Sequence, residues 1–255
     1  MGSTTQAGTR QPASPPPGLP QTAIRVRSVV AERFAADSGG HDLAHLDRVA
    51  RLADRIAQAE GADREIVTTA AYCHDFHRLL EAETEHAAPI ASGACGELVQ
   101  AALEQAHADP SLSEPVLECV AFCDRHRFAG DDAPAPLEAR VLSDADNLDA
   151  IGAIGIARAF AFGALLGEPM WEPDLEARDR YVRGRTSSVI HHFEEKLLRL
   201  RDDMLTSTGR AVAGERHRVI ADFVDTFRRE WRAEDVPVRA TRARPPRHDG
   251  DRPRR

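Results

Sequence analysis

The sequence predicts an all-α protein, a single domain built as a bundle of about eight helices, and three observations predict it. Apolar residues recur at every third or fourth position over most of the chain, which is the period of a helix with one buried face. The links between these runs are short and rich in Gly, Pro and Asp, as in HADPSLSEP, AGDDAPAP and GEPMWEPD. No stretch alternates with period two as a half-buried strand would, and no repeat recurs at solenoid spacing. A length of 255 residues suits one compact unit with tails.

Residues 1–20 form a Pro, Ser, Gly and Thr-rich leader that cannot bury a core. The first helix is expected over 21–36, ended by Ser38-Gly39-Gly40. Asp42 is a natural N-cap for the second, in which Leu43, Leu46, Val49, Leu52 and Ile56 make one buried stripe that Gly61 closes. Asp63 caps a third, whose Ile66, Ala70, Ala71 and Cys73 run into His74-Asp75-Phe76. Further helical patterns cover 86–107, 113–126, 137–166, 187–205 and 211–233, so the domain spans 21–235 and an Arg/Pro-rich tail occupies 236–255. Gly152 and Gly155 follow no strand, so they read as close helix packing and not as a phosphate loop.

Formal net charge is −8. The segment from Val238 to Arg255 carries seven arginines against two aspartates, which leaves −13 on the rest. An acidic body argues against binding to nucleic-acid backbone or to an anionic membrane, and the basic tail has the composition of a solvated end. No apolar run approaches the roughly 20 residues that span a bilayer, and the N-terminus lacks a signal-peptide pattern, so the cytoplasm is the expected compartment. Cys73, Cys95, Cys119 and Cys123 form no CxxC pair; Cys119 and Cys123 read as small buried apolar residues.

Ionisable residues within apolar helices are the informative exceptions. They occur in three places: His45 with Arg48, His74 with Asp75, and the set Asp144, Asp146 and Asp149. Buried carboxylates without partners are costly, and a divalent metal resolves that cost. Two imidazoles and two carboxylates suit Mn²⁺, Mg²⁺, Co²⁺ or Fe²⁺, with positions left open for water. Adjacent on their helix, His74 and Asp75 diverge by about 100° around its axis, and an ion lying off the helix surface is reached by both, one through a long arm and one through a short arm.

His45, then His74-Asp75, then a distant Asp resembles the H…HD…D pattern of the HD-domain metal-dependent phosphohydrolase superfamily. The blocks GHDLAHLDRV, HDFHR, RHRF, PLEARVLSDADNLDAIGAIGIARAFAFG and HHFEEKLLRLRDDMLTSTGRAVA resemble, in the same order, those of the small stand-alone HD hydrolases of the YedJ and YpgQ type. The likeness covers about residues 22–233. It implies a helical HD domain with His45, His74, Asp75 and Asp146 as metal ligands and Mn²⁺ as the first expectation among the metals. Asp146 is chosen because the superfamily ligand usually precedes one residue and then Leu, as in Asp146-Asn147-Leu148; Asp144 is the fallback. Related sequences commonly carry Arg where Asn147 stands, so one charge near the phosphate is missing here.

A bound ion would activate water for attack on phosphorus. His74 and Asp75 then belong to the catalytic group, with His126 and Asp149 beside them; Asp149 could orient water or a ligand, or cap the segment that follows. Arg48, at i+3 from His45, and the pair His192 and Lys196, at i and i+4, are the candidate substrate-binding donors. Where some HD nucleotidases have a Glu three residues after the HD pair, this chain has Arg78, so that base is absent or supplied elsewhere. Lys196 is the chain's only lysine. An arginine-favouring genome explains that scarcity, but its place in HHFEEKLL favours a compact ammonium next to phosphate.

The expected reaction is hydrolysis of a small phosphorylated substrate, a nucleotide first, by a triphosphate pyrophosphohydrolase or a nucleotidase; a homodimer is allowed by the sequence without being required. A di-iron HD-type oxygenase is the main alternative, for which His77, His86, His107 and His126 are the available extra ligands. A non-catalytic metal- or nucleotide-binding HD module is another. The stretch His41-Asp42-Leu43-Ala44-His45 resembles the zinc-protease HExxH, although Asp42 looks like a helix start and not a base.

Overall fold

The computed structural model describes residues 14–34, 41–83, 93–123, 134–178 and 187–237. These are helical without a strand among them, as the sequence predicts. Helix α1 covers Gln21–Val30, α2 Leu43–Glu60, α3 Arg64–Ala71, α4 Phe76–Glu83, α5 Ala94–Gln105 and α6 Ser113–Phe122. Then come α7 Leu137–Asp149, α8 Gly152–Leu166, the short α9 Val189–His192 and the long α10 Ser207–Trp231. Helices α2, α3 and α7 form the centre and pack on one another; α6 packs on α3 and α7, α1 on α3, α5 on α1, α4 and α6, and α10 against α7, α8 and α2.

The caps read from the sequence operate. Asp42 accepts the His45 amide at 2.8 Å, and Gly61 ends α2 with a left-handed φ of 77°. The Asp63 carboxylate accepts the Glu65 and Ile66 amides at the start of α3. Leu43, Leu46, Val49 and Ile56 are buried as expected, with Ala50, Ala53 and Ala57 completing the stripe, while Leu52 is only half-buried. Leu19, just ahead of α1, also reaches the core. Inside the α1–α2–α3 packing, Arg27 forms a two-pronged ion pair with Asp47 at 2.7 and 2.9 Å, and the Tyr72 hydroxyl donates to the same carboxylate at 3.0 Å.

Three expected helices divide. The pattern over 137–166 becomes α7 and α8, bent by 69° at the break. Gly152 adopts φ 76°, a conformation other residues avoid, and a Cβ on Gly155 would collide with the Ala150 carbonyl oxygen. The two glycines thus make a turn and a close backbone approach. Neither helix alone is long and apolar enough to cross a membrane. The pattern over 187–205 becomes α9, a π-helical turn at Phe193–Leu197 and a 3₁₀ turn at Arg199–Asp203. Third, α3 stops at Ala71, and residues 72–75 form a turn before α4. Here Tyr72 and Cys73 donate to the carbonyls three residues back, Thr69 and Ala70, which tightens the backbone out of the α ladder. His74 and Asp75 therefore leave from a turn and not from a continuous helix face.

Candidate metal centre

The turn after α3 brings His74 and Asp75 against α2 and α7. The His45 Nε2 atom lies 3.3 Å from His74 Nε2, 3.2 Å from Asp75 Oδ2 and 3.5 Å from Asp146 Oδ1. The His74 Nε2 atom lies 3.6 Å from both Asp75 Oδ1 and Asp146 Oδ1. Two nitrogens and two carboxylates drawn from α2, the turn and α7 thus gather around His45 Nε2, and the candidate ligand atoms fall into two overlapping triads, His45–His74–Asp146 and His41–His45–Asp75. His45, His74 and Asp75 are buried, whereas the Asp146 side chain is 22% exposed, so the cluster opens to solvent on that side.

The far nitrogens of the two rings define what the near ones can do. His45 Nδ1 lies 2.8 Å from Asp149 Oδ2, and His74 Nδ1 lies 2.8 Å from the Ala71 carbonyl oxygen. A carboxylate and a carbonyl only accept, so both Nδ1 atoms carry the hydrogen and donate. The two Nε2 lone pairs then face each other across 3.3 Å, an arrangement that calls for a cation between them: a proton or a metal. Burial opposes a charged His74, but Asp75 and Asp146 outweigh it and pull its pKa up to about 10. Burial likewise opposes charge on Asp146, yet His74 and His45 hold that carboxyl down to about 2. The donor chemistry fits a divalent ion of the first transition row or Mg²⁺.

Asp149 backs the cluster. Its carboxylate accepts from His45, from Arg48 Nε and Nη2 at 2.7 and 2.9 Å, and from Arg158 Nη1 at 2.9 Å. Despite burial, these partners hold Asp149 well below the usual carboxylate range. The structure places Arg48 with Asp149, its guanidinium forked over both oxygens and its side chain 28% exposed. Arg158, on α8 beyond the Gly152 turn, was not legible in the sequence, since nothing local marks it as a partner of Asp149.

Asp144 and Asp146 lie two residues apart on α7, about 200° around the axis, and so point to different sides. Asp144 accepts the Leu205 and Thr206 amides at 2.8 Å each and the Thr206 hydroxyl at 2.6 Å, which anchors the start of α10. His192 and Lys196 stand where α9 passes into the π-helical turn. Burial and the neighbouring Lys196 hold His192 down to about 3, so that its ring is neutral at ordinary pH. His126 and His86 lie outside the described residues. Of the other histidines suited to a second metal, His107 is exposed at the end of α5 and His77 donates through Nδ1 to the His74 carbonyl oxygen at 3.0 Å. Cys119 is buried in the core, and Cys123 follows the last residue of α6.

A residue outside the expected set joins the centre. His41 precedes the Asp42 cap, and its Nδ1 lies 2.7 Å from Asp75 Oδ2. Its signal was the HDLAH spacing, which the structure does not turn into two histidines on one helix, because α2 begins only at Leu43.

The HD domain family profile matches residues 42–151, the stretch that supplies all four converging side chains. YpgQ of Bacillus subtilis strain 168 is 36% identical over 202 residues, spanning 79% of this chain and 90% of that protein. Its crystal structure in complex with ADP aligns with a TM-score of 0.61 at 31% identity, over 84% of this chain and 98% of that one. A crystal structure of a Lactobacillus plantarum protein aligns with a TM-score of 0.70 at 30% identity, over 83% and 97%. A Bacillus thuringiensis HD-superfamily hydrolase aligns with a TM-score of 0.61 at 33% identity, over 84% and 96%.

Proposed function

The chain belongs to the HD domain family, and from that premise we propose that it is a metal-dependent phosphohydrolase whose substrate is a nucleotide, cleaved as a triphosphate to monophosphate and pyrophosphate or dephosphorylated to the nucleoside. The observation that carries the reading is the pair of His Nε2 lone pairs held 3.3 Å apart beside two carboxylates, with both Nδ1 hydrogens committed elsewhere. That arrangement is built for a cation. The nucleotide assignment draws on the relative that was crystallised with ADP.

In this reading His45, His74, Asp75 and Asp146 hold the ion, with Mn²⁺ first and Mg²⁺, Co²⁺ or Fe²⁺ as alternatives. A divalent ion bound there supplies an activated water and neutralises charge building on the phosphoryl oxygens. Asp149 acts through His45: it fixes the ring in the tautomer that presents Nε2 and strengthens that nitrogen as a donor. Arg48 and Arg158 keep Asp149 ionised and in place, so the sequence-based substrate role of Arg48 becomes a positioning role, with its exposed edge still able to meet a phosphate. Lys196 and His192 supply the second group of phosphate donors, and His126 a further one. Lys196 contributes a mobile point charge and His192 a neutral ring.

Purified protein with Mn²⁺ is incubated with a panel of nucleoside mono-, di- and triphosphates and sugar phosphates, and phosphate and pyrophosphate release are compared with those of Asp75→Ala. Release by wild type that falls at least a thousandfold in the variant is the expected outcome. A wild type that binds Mn²⁺ but releases neither product from any nucleotide or sugar phosphate overturns the hydrolase reading.

A further inference from the structure

The motif that the proposed chemistry leaves unused is His41, and we propose that it is the positioning residue for Asp75, setting the strength with which the centre holds its metal. The inference rests on the metal-centre reading and adds a residue to it. Among the described contacts of Asp75, three involve atoms that would themselves hold the ion or lie at the edge of contact: His45 Nε2 at 3.2 Å, His74 Nε2 at 3.6 Å and Arg78 Nε at 4.0 Å. His41 Nδ1, at 2.7 Å from Oδ2, has ordinary hydrogen-bond length.

A carboxylate leaving from a turn needs such a restraint. Asp75 lies in the turn between α3 and α4, and it is 2% exposed. His45 has Asp149 behind it and His74 has the Ala71 carbonyl; His41 is the corresponding partner for Asp75. The ring is itself held. It lies edge-on to His45 with centroids 5.4 Å apart and edge-on to Phe162 of α8 at 6.3 Å. Phe162 is 42% exposed, so α8 braces the His41 ring at the rim of the centre and not within its core.

The geometry separates orienting from ligation. An orienting residue needs only a donor at the Nδ1 position, which the Asn side-chain amide reproduces; a ligand needs the imidazole lone pair. Mn²⁺ and Co²⁺ are titrated by calorimetry into wild type, His41→Phe and His41→Asn, with the Co²⁺ visible spectrum recorded for each. Thermal melts establish that the variants fold. His41→Phe keeps a ring against Phe162 and should bind both ions about 10–100-fold more weakly. His41→Asn should recover most of that loss with Co²⁺ band positions unchanged from wild type. Wild-type affinity in His41→Phe overturns the proposal. So does a failure of His41→Asn to recover affinity, or a shifted Co²⁺ spectrum, either of which makes His41 a ligand. A wild type that takes up neither ion overturns the metal centre itself, a result distinct from these.

Discussion

Replacing Asp149 with Asn probes the support behind the metal centre, because the side chain keeps its shape and loses its charge. In the native protein the carboxylate receives four hydrogen bonds, one from His45, two from Arg48 and one from Arg158. An Asn amide offers one accepting oxygen. Set at the Oδ2 position, that oxygen keeps the His45, Arg158 and Arg48 Nη2 contacts but turns NH₂ toward Arg48 Nε, donor against donor. Breaking a buried ion pair from one side costs roughly 3–5 kcal/mol. Arg48 and Arg158 retain 28% and 17% side-chain exposure, and water reaching them keeps the loss at the low end, about 3 kcal/mol. For a chain of this size that lowers Tm by about 6–12 °C. Mn²⁺ affinity should drop about 10–100-fold, since His45 keeps its hydrogen bond but loses the carboxylate charge that strengthens Nε2 as a donor. Scanning calorimetry and metal titration read the two effects separately. A Tm within 2 °C of wild type together with unchanged Mn²⁺ affinity refutes the reasoning.

Other expectations follow from the same geometry. Asp146→Ala should abolish tight Mn²⁺ binding while changing stability little, and Asp144→Ala should do the reverse, destabilising by about 3 kcal/mol because the Leu205 and Thr206 amides lose their acceptor; chemical denaturation and metal titration of the two variants decide which Asp is the ligand. Gly155→Ala should lose about 2–3 kcal/mol in urea melts, since its Cβ would collide with the Ala150 backbone oxygen. Gly152→Ala should lose about 1 kcal/mol, from its φ of 76° alone, because the Arg216 side chain beside it can yield. His192, held down to about 3 in the fold against 6.5 unfolded, binds its proton only after unfolding in the interval between. Its contribution is complete above pH 6.5 and declines as pH falls toward 3, amounting to about 2 kcal/mol lost at pH 5 relative to pH 7. His192→Gln should flatten that part of the stability–pH curve, and an unchanged slope would show that other groups carry it.

The helices and the kind of chemistry were legible in the sequence because both are local. A period of three to four, an Asp before each of α2 and α3 and a Gly after α2 act within one or two turns of the chain, and the caps formed as read. The histidine and carboxylate donors stood out because charged groups within apolar runs need a reason to be there.

What the sequence left open were relations across distance. The spacing of His74 and Asp75 reads as helical, yet packing against α2 and α7 is satisfied by a turn, in which His74 uses its own Nδ1 to satisfy the Ala71 carbonyl. Asp144 and Asp146 differ by two positions in sequence; which one meets the histidines depends on which side of α7 faces α10, and only the tertiary arrangement decides that. Arg48 reads equally well as a phosphate donor or as a partner of some acid. The bend at Gly152 brings Arg158 back to Asp149 and makes that carboxylate the common acceptor of both arginines. The residue types that can hold a metal are written in the chain, but the tautomers, the partners behind them and the place of His41 arise from side chains far apart in sequence, whose encounter is determined by how the helices pack.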